Sequence, residues 1–270
     1  MLLPLLSLWV AAEAATAPAS VTYPDSKYHR VEQAIYFAQP GAEKFRLRGV
    51  DPASFVAFPD SAFDFAYRSS LAADRGGFFQ SAERIPFPNA HRARLLAAFN
   101  NGDCSFLFSH TNRLYRINHN QHRVEPVAGR VKASALRPYG HGDPNASPAY
   151  FTDGAGVFFF DLEKNTMVAL PKANPKTFQA HVETYGFDVH WGTDGKHVFA
   201  YGSPLAHVHA PSFTSVGWVY AKDAKHVYLL DQATAKVIPG ANPKTFEVVK
   251  GHGVDATDGK HDYKLGKPVN

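Results

Sequence analysis

Lys172-Ala173-Asn174-Pro175-Lys176-Thr177-Phe178 recurs as Gly240-Ala241-Asn242-Pro243-Lys244-Thr245-Phe246, with only the first residue changed. Pro211-Ser212-Phe213 is a shortened copy between them, and Asp51-Pro52-Ala53-Ser54-Phe55 is an earlier version. Fainter echoes end at Leu95 and Leu136. The closing apolar residues therefore fall at 55, 95, 136, 178, 213 and 246, 33 to 42 residues apart. A second phrase alternates with the first. It reads Asp153-Gly154-Ala155-Gly156-Val157-Phe158, then Asp194-Gly195-Lys196-His197-Val198-Phe199, then Asp223-Ala224-Lys225-His226-Val227-Tyr228, and closes as Asp258-Gly259-Lys260-His261-Asp262-Tyr263.

Each phrase has a physical reading. An aspartate can accept hydrogen bonds from its own backbone two residues on and glycine accepts positive φ, so the second phrase opens with a tight turn. The β-branched and aromatic residues that follow (197–202, 226–231) make a strand, and 235–240 a returning one. In the first phrase Asn174 or Asn242 is placed to cap one helical turn with proline at its first position. The phenylalanine that ends the phrase is expected to plug the apolar layer between neighbouring units.

The expected unit is a β-hairpin, one helical turn and a further short strand. Such a unit cannot bury its apolar face alone and must stack on its copies. The fold class that follows is all-β: an array of about six repeats, closed and propeller-like or open and solenoid-like. A Gly/Pro-rich stretch, Gly140 to Pro148, separates divergent repeats in 18–140 from clear repeats in 150–270 and is the candidate domain boundary. It contains an Asn145-Ala146-Ser147 acceptor pattern, read as a linker signal.

On these two phrases the chain resembles the DKNYY repeat family, bacterial proteins that are often exported and have no established activity. The resemblance is close from Tyr150 to the end and looser from Val31 to Gly140, where the turn phrase is eroded, as in Asp74-Arg75-Gly76-Gly77-Phe78-Phe79. It implies an architecture and carries no catalytic residue across.

Composition fits a core-forming β protein: 45% of residues are hydrophobic and 21 are Phe against 2 Met, and planar aromatics pack well on pleated surfaces. The net charge of +4 is a thin excess of 28 cations over 24 anions spread along the chain, which points away from nucleic acid. Residues 2–12 are an apolar run too short to span a bilayer. Small residues spaced A-x-A follow at 12–14 and 15–17, so 1–17 reads as a secretory signal peptide, although no Lys or Arg precedes the run. Export and no stable membrane anchor after cleavage follow as expectations, in the periplasm or outside the cell. The single cysteine, Cys104, cannot form an internal disulfide.

Candidate chemistry is sparse. Nucleophile elbow, P-loop, dinucleotide fingerprint and zinc-protease motifs do not occur. His197, His226 and His261 share one repeat position and read as structural, while His119 and His122 have helix or turn spacing. His207 and His209 would share a face of a strand and are the candidate metal ligands, needing His181 or His190 from a neighbouring unit to complete a site. No cofactor is expected. Trp191, Trp218 and Tyr201 are the candidate contact residues, with inter-unit core as the competing reading. The functional expectation is a non-enzymatic exported module that binds a protein or a glycan. The alternatives are a stoichiometric masking partner of another exported protein, and a hydrolase or metalloenzyme at the centre of the array.

Overall fold

The computed structural model describes residues 20–23, 26–38, 43–58, 70–99, 105–118, 120–140, 149–184, 188–231, 234–251 and 254–269. These fold into seven antiparallel sheets of four strands each, every sheet a meander in chain order. The sheets occupy 20–46, 56–86, 94–126, 137–169, 179–204, 214–237 and 247–269. The proline phrases precede the sheets and the aspartate phrases turn the chain from the second strand to the third. In the fifth sheet Gln179–Thr184, Asp188–Thr193, Val198–Ala200 and Ser203–Pro204 follow Phe178, and Asp194 stands between the second and third strands. The helical turn forms as the asparagine demands. Phe178 N–H donates to the Asn174 carbonyl at 3.0 Å, and Lys176 N–H to the Asn174 side-chain oxygen at 3.0 Å. The same pair of bonds recurs at Asn242. The shortened copy forms a 3₁₀ turn, Ala210–Ser212.

Two expectations are corrected. The array has seven units, because a complete sheet (20–46) precedes the first proline phrase. It turns from second to third strand at Glu32, φ 52°, with no aspartate phrase to betray it. Each unit also has four strands. The stretch 179–193 holds two strands paired from Gln179↔Thr193 through His181↔Trp191, not one. The candidate boundary falls inside a sheet, since Arg137 pairs with Thr152 and Pro138 with Phe151 on either side of it. Residues 141–148 with Asn145, the signal segment 1–17, Cys104 and His119 lie outside the described residues.

The sheets are held in order by apolar layers between neighbours. Tyr28, Ile35, Phe37 and Leu47 of the first sheet pack on Phe55, Ala72 and Phe79 at the second. Successive layers join the second sheet to the third, the third to the fourth and the fourth to the fifth, and one cluster joins the last three. Five of the six phrase-ending residues sit in one equivalent place, immediately before the first strand of their sheets; in the third sheet that place belongs to Ala93, and Leu95 lies inside the strand Arg94–Phe99. Phe55, Leu136, Phe178, Phe213 and Phe246 are buried and Leu95 half-buried. Phe178 lies so close over the fifth sheet that a Cβ on Gly192 would meet its ring at 2.3 Å, which explains glycine inside a strand there. Covered on both faces, the third strand of the fourth sheet opens with a continuous apolar run, Val157-Phe158-Phe159-Phe160, buried throughout.

Buried tyrosines add directional bonds from one sheet to the next. Tyr28, Tyr150 and Tyr220 each begin the second strand of a sheet. The Tyr28 hydroxyl faces the carbonyl oxygens of Ser70, Phe79 and Ser81 in the second sheet at 2.9, 3.0 and 2.9 Å. Tyr150 donates to Phe199 of the fifth sheet at 3.3 Å. Tyr220 donates to the Asp255 carboxylate at 2.6 Å and accepts from Gly266 N–H at 2.9 Å, both in the seventh. Tyr28→Phe removes the one donor these carbonyls share while keeping the ring, and should destabilise the chain by about 1–2 kcal/mol. Urea unfolding of the variant checks this; an unchanged midpoint would show that the hydroxyl is not a tie between the sheets.

Candidate binding surface

The aspartate phrase builds a small polar knot in each later sheet. Asp194 Oδ1 accepts from Lys196 N–H at 2.9 Å and His197 N–H at 2.7 Å, while Oδ2 accepts from Asn174 N–H at 2.9 Å. One carboxylate thus fastens the turn to the helical turn that leads into the same sheet. Asp223 holds Lys225, His226 and His209 N–H groups in the same way, and Asp258 holds Lys260, His261 and Asn242. Tyr228 and Tyr263 add hydroxyl donors at 2.6 and 2.9 Å. Asp74 repeats the plan, its Oδ2 accepting from Asp51 N–H at 2.8 Å. Burial disfavours the ionised form of Asp194 and Asp223, but these donors outweigh it and bring both to about 2. Asp258 is driven lower still by the same balance. Burial, then the bond to Asp258, pushes Tyr263 up to about 12.

The histidines of this phrase flank the knots. His197 Nδ1 lies 3.3 Å and His261 Nδ1 3.7 Å from their aspartates, and His226 Nδ1 lies 3.4 Å from the Tyr228 hydroxyl. They form a spaced row, one per sheet. His207 and His209 do not share a strand. His207 is exposed in a turn at φ 64°, and His209 caps the 3₁₀ turn with Nδ1 2.7 Å from the Ser212 hydroxyl. The strand reading missed that His209 occupies the place of Asn174 in this sheet's lead-in. His181 stacks on Trp191 at 4.0 Å and His190 lies edge-on to Tyr201, both within the fifth sheet. Among the described residues no three His, Cys, Asp or Glu side chains gather as metal ligands.

Of the candidate contact residues, Trp191 is 5% exposed and belongs to the layer between the fifth and sixth sheets, against Phe213. It takes the strand position held by Tyr150 and Tyr220 in their sheets. Tyr201 and Trp218 are half-buried against core clusters. Both stand at positive φ, 46° and 53°, in hairpin turns, the conformation that matches strand twist.

The surface that sequence reasoning missed is the outer edge of the first sheet. Every meander ends in a strand with an open side, which invites pairing with other chains. Four of these closing strands carry proline: Pro86, Pro126, Pro204 and Pro268. Phe87, Val127 and Leu205, each following one of these prolines, bond inward to Gly76, Leu114 and Val198. Because inward and outward groups alternate along a strand, the missing donor of Pro86, Pro126 and Pro204 falls on the open side. The open side of Thr166–Ala169 is taken by Ala128, which accepts from Met167 N–H and donates to the Asn165 carbonyl. The closing strand of the first sheet, Lys44–Arg46, has no proline, and among the described residues no segment pairs with its open side. Leu47 N–H bonds inward to the Ile35 carbonyl at 2.9 Å, so Lys44 and Arg46 turn their backbone groups outward.

Beside this edge is a recess of about 620 Å³ lined by Gln33, Ala34 and the run from Lys44 to Val50. Phe45 is 51% exposed, and Lys44, Arg46 and Arg48 are exposed. Arg84 of the second sheet donates to the carbonyl of Gly49, one of the lining residues, at 2.9 Å. Among the described residues no carboxylate pairs with Lys44, Arg46 or Arg48. The lining contains no acid, imidazole, thiol or hydroxyl, so it is equipped to hold an anion or a strand. The signal was present in the sequence as alternation: Lys44-Phe45-Arg46-Leu47-Arg48 places cations at every second residue.

These features define an all-β repeat protein of stacked four-stranded meanders, four of the seven clasped by an aspartate turn, with a cationic closing edge on the first. The chain belongs to the DKNYY family, whose model matches residues 28–267 and so takes in the divergent half as well as the clear repeats. No curated relative matches it. Five chains of solved structures match, among them the crystal structure of the tricorn protease, at 13% identity and a TM-score of 0.29. That likeness covers 64% of this chain and 20% of the other, so the chain spans about a fifth of that structure's length.

The depressed carboxyls make stability depend on pH with a definite sign. An aspartate near 4 when unfolded and near 2 when folded contributes stability above pH 4, lost as pH falls toward 2. Urea midpoints should therefore hold level from pH 7 to about 5 and drop between about 4 and 2. Asp194→Asn should lower stability at pH 7 by about 1–3 kcal/mol, because an amide cannot accept at both oxygens. It should also flatten the acid limb, and an acid limb as steep as the parent's would remove the knot from the account.

Proposed function

We propose that this chain is a non-enzymatic, exported binding module that engages a protein or glycan through the cationic edge of its first sheet. The observation that carries the reading is the 620 Å³ recess, with its row of cations around an exposed phenylalanine and a lining without acid, imidazole, thiol or hydroxyl. The strongly shifted carboxyls all serve structural knots, which accounts for their chemistry without a reaction. Export rests on the apolar segment and A-x-A spacing of residues 2–17. No helix among the described residues is long and apolar enough to cross a membrane.

We favour an open array over a closed ring. The apolar layers run from sheet to sheet in succession, and among the described residues none joins the seventh sheet to the first. Leu265 and Val269 of the seventh sheet remain exposed, at 54% and 39%.

Expressed from its own start codon in a bacterium, the protein should appear in the exported fraction with an intact mass lacking residues 1–14 or 1–17. Recovery of the uncut chain from the cytosol would overturn export. Immobilised protein should retain a partner from the exported fraction of its native cells. The double variant Lys44→Glu, Arg46→Glu should reduce that recovery about tenfold, while Lys236→Glu on another edge should not. Equal recovery by all three would move the binding surface elsewhere.

A further inference from the structure

The cationic edge has a second property that narrows its ligand, provided the binding-module reading holds. Lys44 and Arg46 turn outward both a backbone able to pair and, on one face, their charged side chains. Phe45 projects on the opposite face, the same face as Leu47, which is buried in the layer between the first and second sheets. Residues directly opposite one another in neighbouring strands share a face. A strand added here would set its own alternate residues against Lys44 and Arg46 on one face and against Phe45 on the other.

We propose that Lys44–Arg46 accepts an extended acidic segment of a partner protein as a fifth strand of the first sheet. Carboxylates at alternate positions oppose Lys44 and Arg46, and the intervening apolar residue covers Phe45. Main-chain bonds supply affinity and the alternating side chains supply selection, as in other strand-addition complexes. Charge complementarity commits the site to an acidic occupant, for three exposed cations at 44, 46 and 48 face it and no described carboxylate neutralises them. The edges bearing Pro86, Pro126 and Pro204 each lack an outward donor, and the edge of Thr166–Ala169 is occupied by Ala128, so these offer no equivalent place. Of the other closing strands, Thr234–Val237 carries a single cation, Lys236, and Lys267–Val269 carries Pro268, while no opening strand bears cations at alternate residues.

The test uses the full chain and two labelled peptides of identical composition, Gly-Glu-Val-Glu-Val-Glu-Gly and Gly-Val-Glu-Glu-Glu-Val-Gly, in fluorescence anisotropy. The alternating peptide should bind saturably, at least tenfold more tightly than the shuffled one, and more weakly as salt rises. Arg46→Pro deletes the outward donor and leaves the inward Leu47 bond, as the natural edge prolines do; it should weaken binding at least tenfold with an unchanged urea midpoint. The pair Lys44→Glu, Arg46→Glu should do the same, so a folding failure of the proline variant does not decide the matter. Hydrogen exchange at the Lys44 and Arg46 amides should slow on peptide addition. Equal affinity for the two peptides, full affinity in folded Arg46→Pro, or no saturation at about 1 mM would overturn strand addition. If the peptide fails while the native partner is still captured through Lys44 and Arg46, strand addition falls and the module reading stands. If neither binds, both fall. Saturable binding of an acidic oligosaccharide, with none of the peptide, would assign the edge to a glycan.

Discussion

A buried carboxylate that accepts three or four backbone and hydroxyl donors is the constraint on which each later sheet depends. At Asp194, Asp223 and Asp258 one side chain closes the turn between the second and third strands and grips the first residue of the lead-in turn. Without it the N–H of the lead-in residue (Asn174, His209 or Asn242) would lose its acceptor. The charge is tolerated in so enclosed a place because donors surround it, which is also why these carboxyls resist protonation. The helical turn, plug and hairpin are thus not separate devices but one unit tied at a single residue.

Stacking then follows from what the unit leaves unsatisfied. A four-stranded meander with apolar residues on both faces of its middle strands needs a neighbour on each side. The tyrosines at 28, 150 and 220 convert this non-directional demand into a set spacing by reaching carbonyl or carboxylate oxygens of the next sheet. Where Trp191 replaces tyrosine, its indole nitrogen is buried without a hydrogen-bond partner among the described residues, and ring contacts with His181 and Phe213 take over.

The repeat was legible because its two phrases are made of residues with strong local preferences: asparagine and proline at a helical turn, aspartate and glycine at a tight one. The plugs at 55, 136, 178, 213 and 246 proved to be one structural position, held in the third sheet by Ala93 rather than by Leu95, which is a strand residue. The first sheet was not legible, since its turn at Glu32 uses a left-handed residue that sequence does not advertise. The second strand of each unit was hidden because 179–193 carries only the isolated glycines Gly186 and Gly192, with no proline or aspartate-led phrase to mark a turn. Pairing between Asp194 and Asn174, twenty residues apart, is tertiary and no local preference announces it. The binding edge lay between these cases. Its alternation can be read at 44–48, but its meaning depends on which side of the strand is open, and that is known only from the Leu47 bond.

The prolines of the closing strands bear on how many copies of this molecule can coexist. Seven sheets present many open rims, and a chain so rich in aromatic strands would polymerise rim to rim if several were competent. Removing the donor at Pro86, Pro126, Pro204 and Pro268 blunts four closing rims, whereas that of Lys44–Arg46 keeps its donors. Two molecules meeting there would press Lys44 and Arg46 against the same residues of the other. Like-charge repulsion therefore keeps this rim from matching itself.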